Sequence, residues 1–77
     1  MIIETLSDYP GLQCDASVLN RWTFTAEGTE KSVQIYRFDS GRCLVREKSQ
    51  TYYETLCRRK SLTVAFIAVL HYFGYEE

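Results

Sequence analysis

The sequence predicts a small α+β domain, an antiparallel meander of three or four strands packed against one C-terminal helix. Three observations lead there. Segments rich in β-branched and aromatic residues follow one another between residues 21 and 48, separated by short loops containing Gly28 and Gly41. A stretch without Asp, Glu, Lys or Arg runs from Ser61 to Tyr75, with a good N-cap at its start and Gly74 near its end. The 77 residues leave room for one domain, 1–77.

The first twenty residues are ambiguous. Tyr9-Pro10-Gly11-Leu12 has Pro at the first central position of a type II turn and Gly where positive φ is needed. Ile2, Ile3, Leu6 and Tyr9 before it fit a helix face or a short strand, and residues 13–19 give no clear pattern. Arg21–Glu27 then alternates, with Trp22, Phe24 and Ala26 on one face. After a loop at 27–31, Ser32–Phe38 forms a second strand whose alternation switches near Ile35-Tyr36, the pattern of a bulge. Its inward set is either Val33 and Ile35 or Tyr36 and Phe38. Asp39–Arg42 makes a hairpin turn into a third strand at Cys43–Lys48.

Residues 51–57 read as a fourth strand, in competition with a helix opened by the capping-box pattern Thr51-x-x-Glu54. Arg58-Arg59-Lys60 then forms the connecting loop. Ser61 to Phe73 is the helix, about 18 Å long, ended by Gly74 at C′. The expected core is Trp22, Phe24, Val33, Ile35, Val45, Leu56, Leu62, Phe66, Val69 and Phe73.

A chain this short buries roughly 60% of its unfolded surface. Its 45% apolar and 14% aromatic content argues against disorder. Net charge is −1, which supplies no global attraction to nucleic acid or anionic lipid. Cys14, Cys43 and Cys57 form no CxxC pair, and an odd count favours reduced thiols. With no basic, apolar leader at residues 1–4 and no apolar run of membrane length, the expected location is cytoplasmic, with no membrane partner.

No catalytic, metal or cofactor motif stands out, and an enzyme is not expected. His71 is the only histidine, so a zinc site would need several cysteines. A Cys57–His71 nucleophilic pair lacks a third group to orient the base. Arg58-Arg59-Lys60-Ser61 has the form of a basophilic kinase site, but Ser61 reads better as a helix cap.

Two surfaces remain. At 100° per residue Leu62, Phe66, Val69 and Phe73 face the sheet, while Val64, Ile67, Ala68, His71 and Tyr75 lie opposite with no charge among them. A helix apolar all round needs a cover on both sides. The N-terminal segment with Ile2, Ile3, Leu6 and Leu12 can provide it, and so can a second copy in a two-fold homodimer or another protein. The leading expectation is a protein-interaction module, an accessory or inhibitor protein of the kind phages and mobile elements encode. The alternative is nucleic-acid binding through residues 42–60. There Arg42, Arg46, Lys48, Arg58, Arg59 and Lys60 face only two carboxylates and interleave with Tyr52 and its neighbour Tyr53.

Overall fold

The computed structural model describes residues 8–48 and 51–75. Five strands, β1 (Leu12–Asp15), β2 (Arg21–Ala26), β3 (Ser32–Arg37), β4 (Cys43–Lys48) and β5 (Tyr53–Arg59), precede one helix, α1 (Leu62–Phe73). The strands form a single sheet in the order β1-β2-β3-β4-β5, each pair antiparallel. The architecture is the expected α+β meander with a C-terminal helix, widened to five strands.

The extra strand is β1. It pairs Leu12 with Ala26 and Cys14 with Phe24. Four residues, Leu-Gln-Cys-Asp, are too few to show a period, so β1 is defined by its partner's register and not by its own composition. The Tyr9–Leu12 turn forms as expected: Leu12 N–H donates to Tyr9 O at 3.1 Å, and Gly11 takes φ +86°. A Cβ at Gly11 would also meet the Glu27 Cβ at 3.2 Å.

Register settles the inward set. Trp22, Ile35, Val45 and Cys57 oppose one another across four strands, and Phe24 opposes Val33. Val33 and Ile35 are buried, whereas Tyr36 lies on the other face. β3 keeps an unbroken register, so no bulge sits at Ile35-Tyr36. The irregularity falls instead between β4 and β5, where Val45 opposes Cys57 and Arg46 opposes Thr55, leaving Leu56 as the extra residue. Leu56 therefore leaves the expected core and is 39% exposed. β5 also runs further than its composition suggests. Arg59 and Arg58 pair with Cys43 and Leu44, which would otherwise lack ladder partners, so these arginines belong to a strand and not to a loop.

Helix α1 packs on β3, β4 and β5. Ser61 Oγ accepts the Val64 N–H at 3.4 Å as N-cap. At the other end Gly74 takes φ +83°. Its N–H donates to His71 O, and the Tyr75 N–H donates to Leu70 O at 2.9 Å, a Schellman closure. Ala65, Phe66, Val69 and Leu70 are the buried residues, with Leu62 and Phe73 partly buried at the rim. The buried stripe is thus rotated toward Ala65 and Leu70. Phe66 meets Phe24 with ring centroids 5.6 Å apart. Tyr9 covers one flank of the helix, edge-on to Phe66 at 5.9 Å and to Tyr75 at 5.8 Å, and Tyr75 Oη donates to Pro10 O at 2.7 Å. The covering role expected of Ile2, Ile3 and Leu6 lies outside the described residues. Each fully buried aliphatic side chain contributes about 1.5–3 kcal/mol.

Ile35→Ala, at a fully buried position, is expected to cost about 2–5 kcal/mol in urea unfolding, whereas Leu56→Ala at the bulge costs less than about 1 kcal/mol.

Candidate functional site

Alternation gives the sheet two unlike faces. The face toward α1 carries the core, and Glu47 and Glu54 fall on its register. Among the described residues no helix lies on the opposite face. Its register positions run Arg21, Thr23 and Thr25 on β2, Ser32, Gln34 and Tyr36 on β3, Leu44, Arg46 and Lys48 on β4, and Tyr53, Thr55 and Arg58 on β5. Among the described strand residues on this face one carboxylate occurs, Asp15 at the β1 edge, opposite Thr23. Its side chain accepts the Ser17 N–H at 2.9 Å, and that bond lowers its pKa.

Arg46 organises the centre of the open face. Its guanidinium lies 4.0 Å from the Tyr53 ring centroid and 5.9 Å from that of Tyr36. Arg21 approaches the same Tyr36 ring at 5.3 Å. Beneath Arg46 sits Gln34, the one buried polar side chain among the described residues. Gln34 Oε1 accepts from Arg46 Nε at 2.8 Å and from Nη2 as well, while Gln34 Nε2 donates to Thr23 Oγ1 at 3.4 Å. The fork is bidentate, so it fixes the plane as well as the position of the guanidinium. Gln34 engages the Nε and one Nη2 donor of the five N–H groups a guanidinium carries. The arrangement is a row of cations and π faces on one side of the sheet, with about 4.8 Å between successive strands.

The six-cation cluster of residues 42–60 resolves into two sites. Arg46, Lys48 and Arg58 occupy the open sheet face with Tyr53; Tyr52 precedes β5 and is 62% exposed. Arg42, Arg59 and Lys60 instead line a groove of about 510 Å³ beside the β3–β4 turn and the start of α1, where Arg58, Phe38 and Val64 join them. Arg21, Gln34 and Tyr36 lie in β2 and β3, outside the segment the sequence pointed to. The signal that could have found them was alternation: Arg21, Thr23, Gln34 and Tyr36 take the polar phase of two strands whose apolar phase is Trp22, Phe24, Val33 and Ile35.

The helix surface divides as well. Val64, Ile67 and His71 are exposed at i, i+3, i+7 spacing, the first two at 43% and 44%. Ala68 is half-buried. Tyr75 is turned toward the N-terminal turn, where its hydroxyl is bonded to Pro10, so it stands apart from this stripe.

All three cysteines are free. Burial, and secondarily the Asp15 carboxylate, push the Cys14 thiol up to about 11, and burial also raises Cys43. A thiol held protonated is a poor nucleophile and a poor metal ligand. Among the described residues no group of three His, Cys, Asp or Glu side chains could hold a metal ion, and no helix is long and apolar enough to cross a membrane. No protein family, no curated protein and no solved structure matches the chain.

The raised Cys14 pKa has a pH signature. The unfolded thiol ionises near 9, while the folded one keeps its proton to about 11. In that window the unfolded chain binds fewer protons, so stability falls as pH rises from about 9 to about 11. Urea titrations across that range should show the fall in wild type and a shallower one in Cys14→Ala.

Proposed function

We propose that this chain is a non-enzymatic binding module whose uncovered sheet face holds single-stranded nucleic acid. The observation that carries the reading is the Arg46 guanidinium, locked by Gln34 and stacked on Tyr53 in the middle of a face whose strand positions hold four cations and one peripheral carboxylate. Guanidinium planes and tyrosine rings stack on unpaired bases, and neighbouring cations take the phosphates. A duplex keeps its bases stacked within itself and would meet only the charges. The binding is local, which reconciles it with a net charge of −1.

Anisotropy of a labelled single-stranded oligonucleotide tests the reading. Four cations contacting phosphates give a slope of log K against log salt of about −3. Tyr53→Ala should weaken binding by about 1–3 kcal/mol, and Arg46→Ala should both weaken it and flatten the salt slope. Binding that is indifferent to salt and to both substitutions contradicts the proposal.

A second reading concerns the opposite pole of the molecule. Val64 and Ile67, each more than two-fifths exposed, form the centre of an uncharged stripe on α1, and their exposure supports association with a second copy or another protein. In this reading the chain acts by presenting a surface, as accessory and inhibitor proteins do. The two surfaces lie on opposite sides and can act together. Light scattering at micromolar concentration is expected to give a dimer that Ile67→Arg converts to monomer; a wild-type monomer removes the self-association arm.

A further inference from the structure

The groove at the end of the sheet joins the proposed strand-binding face. Phe38, 40% exposed, packs edge-on against Tyr36 with centroids 5.0 Å apart. Arg58 belongs to both, since it opposes Leu44 on the open face and also lines the groove. A strand lying across Tyr53, Arg46 and Tyr36 would therefore reach Phe38 next.

The groove differs from the sheet face in its charge. Arg42, Arg58, Arg59 and Lys60 line it, with no carboxylate among the described lining residues. It also borders the start of α1, whose first turn carries no acidic residue. Helix N-termini are positive and ordinarily draw Asp or Glu into that first turn; here the Ser61 hydroxyl caps one N–H and no first-turn carboxylate offsets the charge. Four cations bordering one groove repel one another, and together they exceed the single charge of a phosphodiester. A phosphate monoester, which carries about −1.5 to −2 at neutral pH and three acceptor oxygens, is the better match. Phe38 and Val64 supply an apolar wall against which one base or sugar can rest, and the volume of about 510 Å³ falls within the range of small-ligand pockets, about 300–1,000 Å³.

We propose that this groove receives the phosphorylated terminal nucleotide of the strand bound on the sheet, with the phosphate among Arg42, Arg58, Arg59 and Lys60 and the base against Phe38. The proposal rests on the single-strand reading above and adds to it a recognition of strand ends. An internal phosphodiester can cross the sheet face, but only a terminus can place a dianion in the groove.

The test compares oligonucleotides of one sequence carrying a hydroxyl or a phosphate at the 5′ end, and a second pair differing at the 3′ end, by anisotropy with the label on the opposite terminus. Phosphate at one of the two ends should tighten binding about tenfold. That ratio should fall to about one in Arg42→Ala/Arg59→Ala, with the fold verified by circular dichroism. In Arg46→Ala the affinities for both strands should drop while their ratio persists. Equal affinity for phosphate and hydroxyl at both ends overturns the groove assignment and leaves the sheet reading standing. Failure of every oligonucleotide to bind overturns both. A poly-glutamate peptide that displaces the phosphorylated strand as well as the same strand unlabelled does shows a groove open to any polyanion, and that also overturns the assignment to a nucleotide terminus.

Discussion

One helix of twelve residues cannot cover both faces of a five-stranded sheet, and most of the molecule follows from that constraint. An α-helix with its side chains is about 10–12 Å wide. Five strands spaced at about 4.8 Å are nearly twice as broad. Helix α1 covers β3, β4 and β5, and Tyr9, Tyr75 and Leu12 close the side toward β1 and β2. Among the described residues nothing covers the second face, so its residues must be compatible with water while β2, β3 and β4 remain central strands. The solution is a layer of Arg, Thr, Gln and Tyr whose side chains contact one another. Arg46 covers Gln34, and Gln34 holds Arg46, so a buried amide is satisfied and a charged group is positioned by the same pair of hydrogen bonds.

That layer separates charge within the chain. The cations Arg21, Arg46, Lys48 and Arg58 are on the open face. Glu47 and Glu54 point to the helix side, and Glu27 and Glu30 lie in the β2–β3 loop. A net charge near zero therefore hides a face with four cations and, among the described strand residues, one carboxylate at its edge. At an ionic strength near 0.15 M, charges more than about 8 Å apart are largely screened, so a ligand on the open face senses the cations far more than the distant carboxylates. The groove beside Phe38 and Lys60 extends the same positive region round the end of β4 and β5. The helix pole, with Val64 and Ile67 exposed, is uncharged and suits a different kind of contact.

The elements that repeat were legible in the sequence, and those fixed by a partner were not. The apolar phase Trp22, Phe24, Val33, Ile35 named the inner face of β2 and β3, and Ser61 with Gly74 bounded the helix correctly. β1 was invisible because four residues carry no period. The β5 bulge, and the extension of β5 through Arg58 and Arg59, depend on hydrogen-bond partners in β4 that local composition does not encode. The apparent switch at Ile35-Tyr36 arose because Tyr36 is aromatic yet sits on the polar face, where Arg21 and Arg46 use its ring. The same ambiguity concealed half of the candidate site. The sequence marked a basic segment at 42–60, but the face that gathers Arg46, Tyr53, Tyr36 and Arg21 exists only once three hairpins have set their registers.

The central claim is that the polar sheet face, with Arg46 at its centre, is a ligand platform and not merely a solvated surface. Amide chemical-shift mapping of the whole chain with a single-stranded oligonucleotide tests it most directly. The largest, saturable changes are expected on β2 to β5 around Arg21, Tyr36, Arg46 and Tyr53, with Ile67 and His71 on the helix unaffected by direct contact. Changes confined to the helix stripe, or no saturable change on the sheet at low salt, would contradict it.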